Sequence, residues 1–222
     1  MKKLLLFDID GTLVDTGGAG MSALTEATSE IFGNEGPPLD LAGSTDGGIF
    51  RGLLKHFGKP FDEELELKFY EVYLPKLERN LRDSSFGGHL LDGVPELLSK
   101  LEQEGHVLGL LTGNIARGAE MKCEHYGIGE FFKFGSYGDD HWDRNKLGPI
   151  ALERAVQLSG QDFAVEDILV IGDTPKDVAC AHAFGAQCVA VATGAFSAIQ
   201  LEECGADRVL ENLVGVDLLA TS

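Results

Sequence analysis

Basic residues are scarce in this chain: 18 lysines and arginines stand against 36 aspartates and glutamates, a formal net charge of −18. That deficit argues against nucleic acid or an anionic membrane as a partner. It also means that an anionic ligand would need a local cation to reverse the sign of the field in its site. Long apolar runs are missing too, and none approaches the roughly 20 residues that span a bilayer. The start, Met1 to Phe7, faintly resembles a secretory leader, but its apolar stretch breaks at Asp8 after four residues, so the chain reads as cytoplasmic. Cysteine motifs are absent. Cys123, Cys180, Cys188 and Cys204 lie far apart with no CxxC spacing, which points to reduced small hydrophobes rather than a disulfide framework or a zinc site. No repeat or low-complexity tract occurs. With 44% hydrophobic and 24% charged residues over 222 positions, enough remains for one good core, alone or with a small insert.

Short apolar runs alternate with helical patterns. The runs are Leu4 to Phe7, Val107 to Leu111, a weaker one at Phe131 to Phe134, Ile168 to Ile171, Cys188 to Val191, and a marginal one starting at Val209. They lack period-two alternation, the mark of strands buried on both faces of a parallel sheet. Helical spacing is read at 94–103, 116–125, 149–158 and 175–183. Repeated strand-then-helix units predict an α/β core with helices on both faces. Residues 16–88 break the rhythm. They offer helical stretches near 21–32, 47–57 and 63–81 and no clear strand, so they read as a helical insert after the first strand. Gly17-Gly18 and Gly87-Gly88 bracket it, as hinge strands of a movable lid or as plain loop glycines.

Chemistry-bearing side chains gather just past these runs. Asp8 and Asp10 follow the first, Thr112 and Asn114 the second, Asp173 and Asp177 the fourth. In open α/β sheets that edge is where ligands bind. Asp8 and Asp10 stand two apart, on one side of an extended chain. Bare carboxylates so placed repel unless a cation or a shared proton lies between them.

These residues carry a resemblance. Asp8-Ile9-Asp10-Gly11-Thr12-Leu13, Leu111-Thr112-Gly113-Asn114 and Gly172-Asp173-Thr174-Pro175-Lys176-Asp177 are similar to motifs of the haloacid dehalogenase superfamily, within it the phosphoglycolate-phosphatase-like members. The resemblance implies a Rossmann-like three-layer core with a mainly parallel sheet (residues 1–15 and 89–222) and a small α-helical cap domain (16–88). It implies a Mg²⁺-dependent phosphatase acting on a small phosphorylated metabolite. Asp8 would be the nucleophile that becomes an aspartyl-phosphate, and Asp10 the general acid and base. Mg²⁺ would rest on the Asp8 carboxylate, the Asp10 main-chain carbonyl and the Asp173 carboxylate, with Asp177 reached through water or serving only as a first-turn acid. Thr112, assisted by the Gly113 and Asn114 amides, would bind phosphoryl oxygens or act as a plain helix cap.

The chain departs from the family in the third motif. No Lys-Pro precedes the helix after the third run, and the segment Asp139 to Pro149 offers Arg144 and Lys146 instead. Arg144 is preferred by counting back from the helix near Pro149, with Lys146 kept open. Ser44, Thr45 and Arg51 in the insert are candidates for facing the substrate's leaving group, although a helix-starting loop explains them equally. Asp10 disfavours a dehalogenase, and its retention also disfavours a phosphonate-cleaving relative. A sugar-phosphate mutase and a phospho-accepting signalling module stay as alternatives, and a monomer and a homodimer both stay open.

Overall fold

Leu4–Phe7 forms β1, with all four residues buried, and the rest of the sheet is arranged around it. The structure is a computed structural model that describes residues 2–38 and 41–220. The other strands are β2 (Val14–Asp15), β3 (His89–Leu90), β4 (Val107–Leu111), β5 (Gly135–Ser136), β6 (Ile168–Gly172), β7 (Gln187–Val191) and β8 (Arg208–Leu210). Six of them build one parallel sheet in the order β5-β4-β1-β6-β7-β8. Leu5 pairs with Leu108 on one side and Leu169 on the other.

The apolar runs do not alternate because both sheet faces are covered. Leu5, Phe7, Leu110 and Ile171 pack under α4 (Val94–Gln103) and α5 (Ala116–His125). Leu4, Leu6, Val170 and Cys188 pack on the opposite face under α6 (Leu147–Ser159), α7 (Pro175–Ala183) and α8 (Ala198–Glu203). Each such side chain removed from water is worth roughly 1.5–3 kcal/mol. From β1 the chain moves to β4 and β5 on one flank, then crosses to β6, β7 and β8 on the other. That reversal opens a crevice at the carboxyl end of β1, the usual ligand position in such sheets.

One reading needs correction. The third apolar run is not the strand. Phe131 and Phe132 donate their amides locally to Ile128 and Gly129, and pairing with β4 begins only at the Phe134 carbonyl. The strand follows at Gly135–Ser136. Among the described residues, 16–88 hold no strand, and short strands flank them on either side. β2 and β3 pair antiparallel, Val14 with Leu90 and Asp15 with His89, and so bring the insert's two ends together. Strands of two residues are too short to show a period.

Between β2 and β3 lie α1 (Ala19–Phe32), α2 (Asp46–His56) and α3 (Glu63–Arg82). They share an apolar cluster of their own, including Leu24, Phe50, Leu53, Phe69, Tyr73 and Leu77, and Ile115 of the core joins it. Gly17 and Gly88 have a packing reason at this junction. A Cβ on Gly17 would lie 1.7 Å from the Phe86 carbonyl oxygen, and one on Gly88 would lie 2.1 Å from the Tyr126 hydroxyl. No helix among the described residues is long and apolar enough to cross a membrane.

Leu5 is fully buried at the sheet centre, whereas Leu67 on α3 is 60% exposed. Leu5→Ala should cost about 2–5 kcal/mol in urea unfolding. Leu67→Ala should stay within about 0.5 kcal/mol of the parent. Equal losses would contradict this placement of the core.

Candidate active site

β1 ends by handing its last sheet hydrogen bond to Asp8, whose amide donates to the Ile171 carbonyl at 2.9 Å. The chain then turns at Gly11, at φ 79°, in the left-handed region that glycine adopts without strain. The turn is also tight in space. A Cβ on Gly11 would lie 2.4 Å from Asp173 Oδ2, and one on Gly194, past β7, would lie 1.8 Å from the same atom. Two glycines therefore leave room for the Asp173 carboxylate, whose Oδ1 accepts from the Thr12 hydroxyl at 3.2 Å.

Asp8, Asp173 and Asp177 place carboxylate oxygens within 4.8 Å of one another, all buried. Arg144 lies among them. Its guanidinium is 3.1 Å from Asp8 Oδ2 and 2.5 Å from Asp177 Oδ1. Asp177 also completes a capping box at the start of α7, its Oδ2 accepting from the Thr174 amide and hydroxyl. Lys146 is exposed. Of the two third-motif cations, then, only Arg144 reaches Asp8.

Burial raises the Asp8 carboxyl to about 6, against the pull of Arg144 and with a push from Asp177. Burial raises Asp173 further, to about 8, with Asp177 and Asp8 adding like-charge repulsion. Burial by itself would lower Arg144, but the Asp177 and Asp8 charges more than offset it and hold the guanidinium above its ordinary value. One buried cation thus faces three acids. An all-oxygen donor set with this surplus charge suits a hard divalent cation.

Asp10 points elsewhere. Lys122 Nζ on α5 donates to both its oxygens, at 2.7 and 2.6 Å, and to Asn114 Oδ1 at 2.6 Å. Asn114 Nδ2 donates to Asp10 Oδ2 at 2.8 Å and to the Thr112 hydroxyl at 2.9 Å. Lys122 is only 3% exposed. Sequence reasoning missed it, because a lysine inside a helix ordinarily snorkels to water and nothing in its neighbours marks it as inward.

The insert reaches this site through residues 43–46. The Asp46 amide donates to the Gly113 carbonyl at 2.7 Å, and Asp46 Oδ2 accepts from the Ile115 amide at 2.9 Å. The Gly43 carbonyl accepts from Arg144 at 3.2 Å. A Cβ on Gly113 would lie 2.0 Å from the Ser44 carbonyl oxygen. The result is a cavity of about 220 Å³ lined by Asp8, Asp10, Asn114, Lys122, Arg144 and Asp173 from the core, and by Ser44, Asp46 and Tyr73 from the insert.

Of the insert candidates, only Ser44 lines that cavity. Thr45 instead caps α2, accepting from the Gly48 amide at 2.9 Å, and donates to the Trp142 carbonyl at 2.5 Å. Arg51 lies over the Phe61 ring at 3.8 Å and near Trp142 at 5.4 Å, outside the cavity. At 3.6 residues per turn, five positions beyond Asp46 is a different face of the helix. Asp46 itself reads in sequence as an ordinary first-turn acid, and only its tertiary contacts distinguish it. The first amides of the α5 start are not free for an anion either. Ile115 donates to Asp46 and Ala116 to Asp139.

Residues 5–191 match the haloacid dehalogenase-like hydrolase family. This chain belongs to that family. A phosphoglycolate phosphatase from Nitrosococcus oceani is 27% identical, covering 96% of this chain and 94% of that protein. An N-acetylmuramic acid 6-phosphate phosphatase from Pseudomonas aeruginosa is 30% identical over 86% of this chain and 82% of its own. Among solved structures, CbbY from Rhodobacter sphaeroides in complex with phosphate superposes with a TM-score of 0.74 at 19% identity, covering 97% and 96% of the two chains. For this haloacid dehalogenase-like hydrolase, that likeness shows the fold.

Two outcomes follow from the acid cluster. Arg144→Ala, which leaves buried carboxylates uncompensated, should cost about 3 kcal/mol of stability in chemical denaturation, whereas Lys146→Ala should stay within about 0.5 kcal/mol. The second concerns pH. Asp8 and Asp173 have folded values above their ordinary 3.8, so the folded chain retains protons that the unfolded chain has lost. Stability of the metal-stripped protein from these groups is therefore full at low pH and falls as pH rises from about 4 through about 8. Its thermal midpoint should drop between about pH 5.5 and about pH 8, and a divalent cation should restore more at the higher pH. A midpoint indifferent to added cation at both would contradict the cluster's role.

Proposed function

We propose that this haloacid dehalogenase-like phosphatase hydrolyses a small phosphomonoester through an aspartyl-phosphate on Asp8, with Mg²⁺ as its metal. The observation that carries the reading is the meeting of Asp8, Arg144, Asp173 and Asp177 at one strand edge, beside a cavity that also exposes Asp10. The residues fit the metal. Asp8 and Asp173 offer carboxylate oxygens, and the Asp10 carbonyl is the main-chain candidate. Both Asp177 oxygens are already engaged by Arg144 and Thr174, which suits contact through water. When bound there, the cation would neutralise phosphoryl oxygens and clustered acids together.

An Asp8 carboxylate oxygen attacks phosphorus as the ester P–O bond breaks, and Asp10 gives a proton to the departing alkoxide. Asp10 then takes a proton from water, the water oxygen attacks phosphorus, and the acyl-phosphate P–O bond breaks to release inorganic phosphate and the Asp8 carboxylate. Arg144 orients Asp8 and offsets the charge of the transferring group. Its Nε is buried with no hydrogen-bond partner among the described residues, which is consistent with a cradle built for an added anion. Lys122 and Asn114 hold Asp10 in place. The helices α1–α3 act as a cap domain over residues 16–88, hinged at the β2/β3 ribbon, and exclude water when docked.

The assay is release of inorganic phosphate from p-nitrophenyl phosphate. Asp8→Asn should lose more than about a thousandfold in kcat, and EDTA should abolish turnover until Mg²⁺ is returned. Lys122→Met should lower kcat by about a hundredfold by freeing Asp10. Wild-type turnover by Asp8→Asn would remove Asp8 from the mechanism. A phosphoryl transfer that yields no free phosphate would favour a mutase.

A further inference from the structure

Once the phosphoryl group is placed against Asp8, the departing alcohol must lie toward Asp10 and the insert. The side chains there have an unusual polarity. Asp46, the first residue of α2, lines the cavity and is only 6% exposed. Its Oδ2 accepts from the Ile115 amide, but Oδ1 has no hydrogen-bond partner among the described residues. That oxygen is not among the fully buried side-chain atoms, so it is open to solvent, and a ligand donor can take the place of water on it.

No cation is spare to receive an anion on this side. Among the described residues lining the cavity, the cations are Lys122 and Arg144. Lys122 Nζ has three hydrogens and makes three bonds, two to Asp10 and one to Asn114. Arg144 is held at the phosphoryl end by Asp8 and Asp177. The Ser44 hydroxyl already accepts from Lys176 at 2.7 Å. The Tyr73 hydroxyl can donate or accept, so it favours neither polarity. A second carboxylate brought in with the substrate would therefore face Asp46 and Asp10 with nothing to neutralise it. Rejection by an unmatched like charge is a common source of specificity.

We propose that the leaving group is an alcohol bearing a further hydroxyl or an ammonium, which donates to Asp46 Oδ1, and that it carries no carboxylate. This rests on the phosphatase reading above and narrows its substrate class. It also separates this chain from an enzyme tuned to phosphoglycolate, whose leaving group ends in a carboxylate. Burial raises the Asp46 carboxyl to about 6, so near neutral pH it is predominantly ionised and accepts from either kind of donor.

The test compares kcat/KM for glycerol 3-phosphate, phosphoethanolamine and phosphoglycolate with the Mg²⁺-loaded protein, and p-nitrophenyl phosphate as the reference ester. At least one donor-bearing ester should exceed phosphoglycolate by about tenfold or more. The two arms distinguish a hydroxyl from an ammonium. Asp46→Asn keeps an oxygen for the Ile115 amide and turns an amide donor toward the cavity, so it should shift the ratio toward phosphoglycolate by about tenfold. Phosphoglycolate preferred by the wild type would overturn the proposal, and so would a ratio that Asp46→Asn leaves unchanged. The wild-type comparison needs no variant to fold. Turnover of p-nitrophenyl phosphate with no preference among the three esters would sink this inference and leave the phosphatase standing. No turnover of any ester would sink both.

Discussion

One buried arginine makes the acidic edge of this sheet possible. Asp8 at the end of β1 and Asp173 and Asp177 after β6 converge because their strands are neighbours in the sheet. Left alone, three carboxylates in a water-poor crevice would repel one another or take up protons. Arg144 bridges Asp8 and Asp177 with one guanidinium, but a single positive charge cannot balance three acids. The raised Asp8 and Asp173 values express that remainder. A site so arranged is incomplete without further positive charge, and its chemistry follows from that incompleteness. In a chain with a net charge of −18, local cations alone can make the crevice attractive to a phosphate ester.

The second constraint is close approach. The insert docks on the core where backbones come nearly into contact, and glycine permits this at Gly113 against the Ser44 carbonyl and at Gly138, where a Cβ would lie 3.1 Å from the Asp46 nitrogen. The same loop carries Asp46, whose amide and carboxylate both bond to the core stretch 113–115. Docking, and the leaving-group recognition proposed above, thus fall on one short segment. Asp46 fills the amide of Ile115 and Asp139 that of Ala116, so these two amides at the start of α5 serve assembly.

Much of this was legible beforehand, for identifiable reasons. Strands buried on both faces read as unbroken apolar runs, so β1, β4, β6 and β7 stand out, and α4, α5 and α7 carry helical spacing to their ends. Acids at strand ends are conspicuous because packing does not explain them. What escaped lacked a local signal. β2 and β3 are two residues each. The third strand is defined by where Phe134 begins to pair, and the apolar run itself does not show that point. Lys122 looks like any solvated lysine, and Arg51 looked inward until the rotation of α2 turned it toward Phe61.

Local chemistry along the chain was therefore enough for the α/β class, the helical insert and the set of acids, since each depends on periodicity or on residues adjacent in sequence. Choosing between Arg144 and Lys146, joining Lys122 to Asp10, and aiming Asp46 into the cavity required the fold. Those partners lie 112 positions apart in the case of Lys122 and Asp10 and 69 in the case of Asp46 and Ile115. Only the packing of helices against the sheet decides which charged side chain is pulled out of water to meet another.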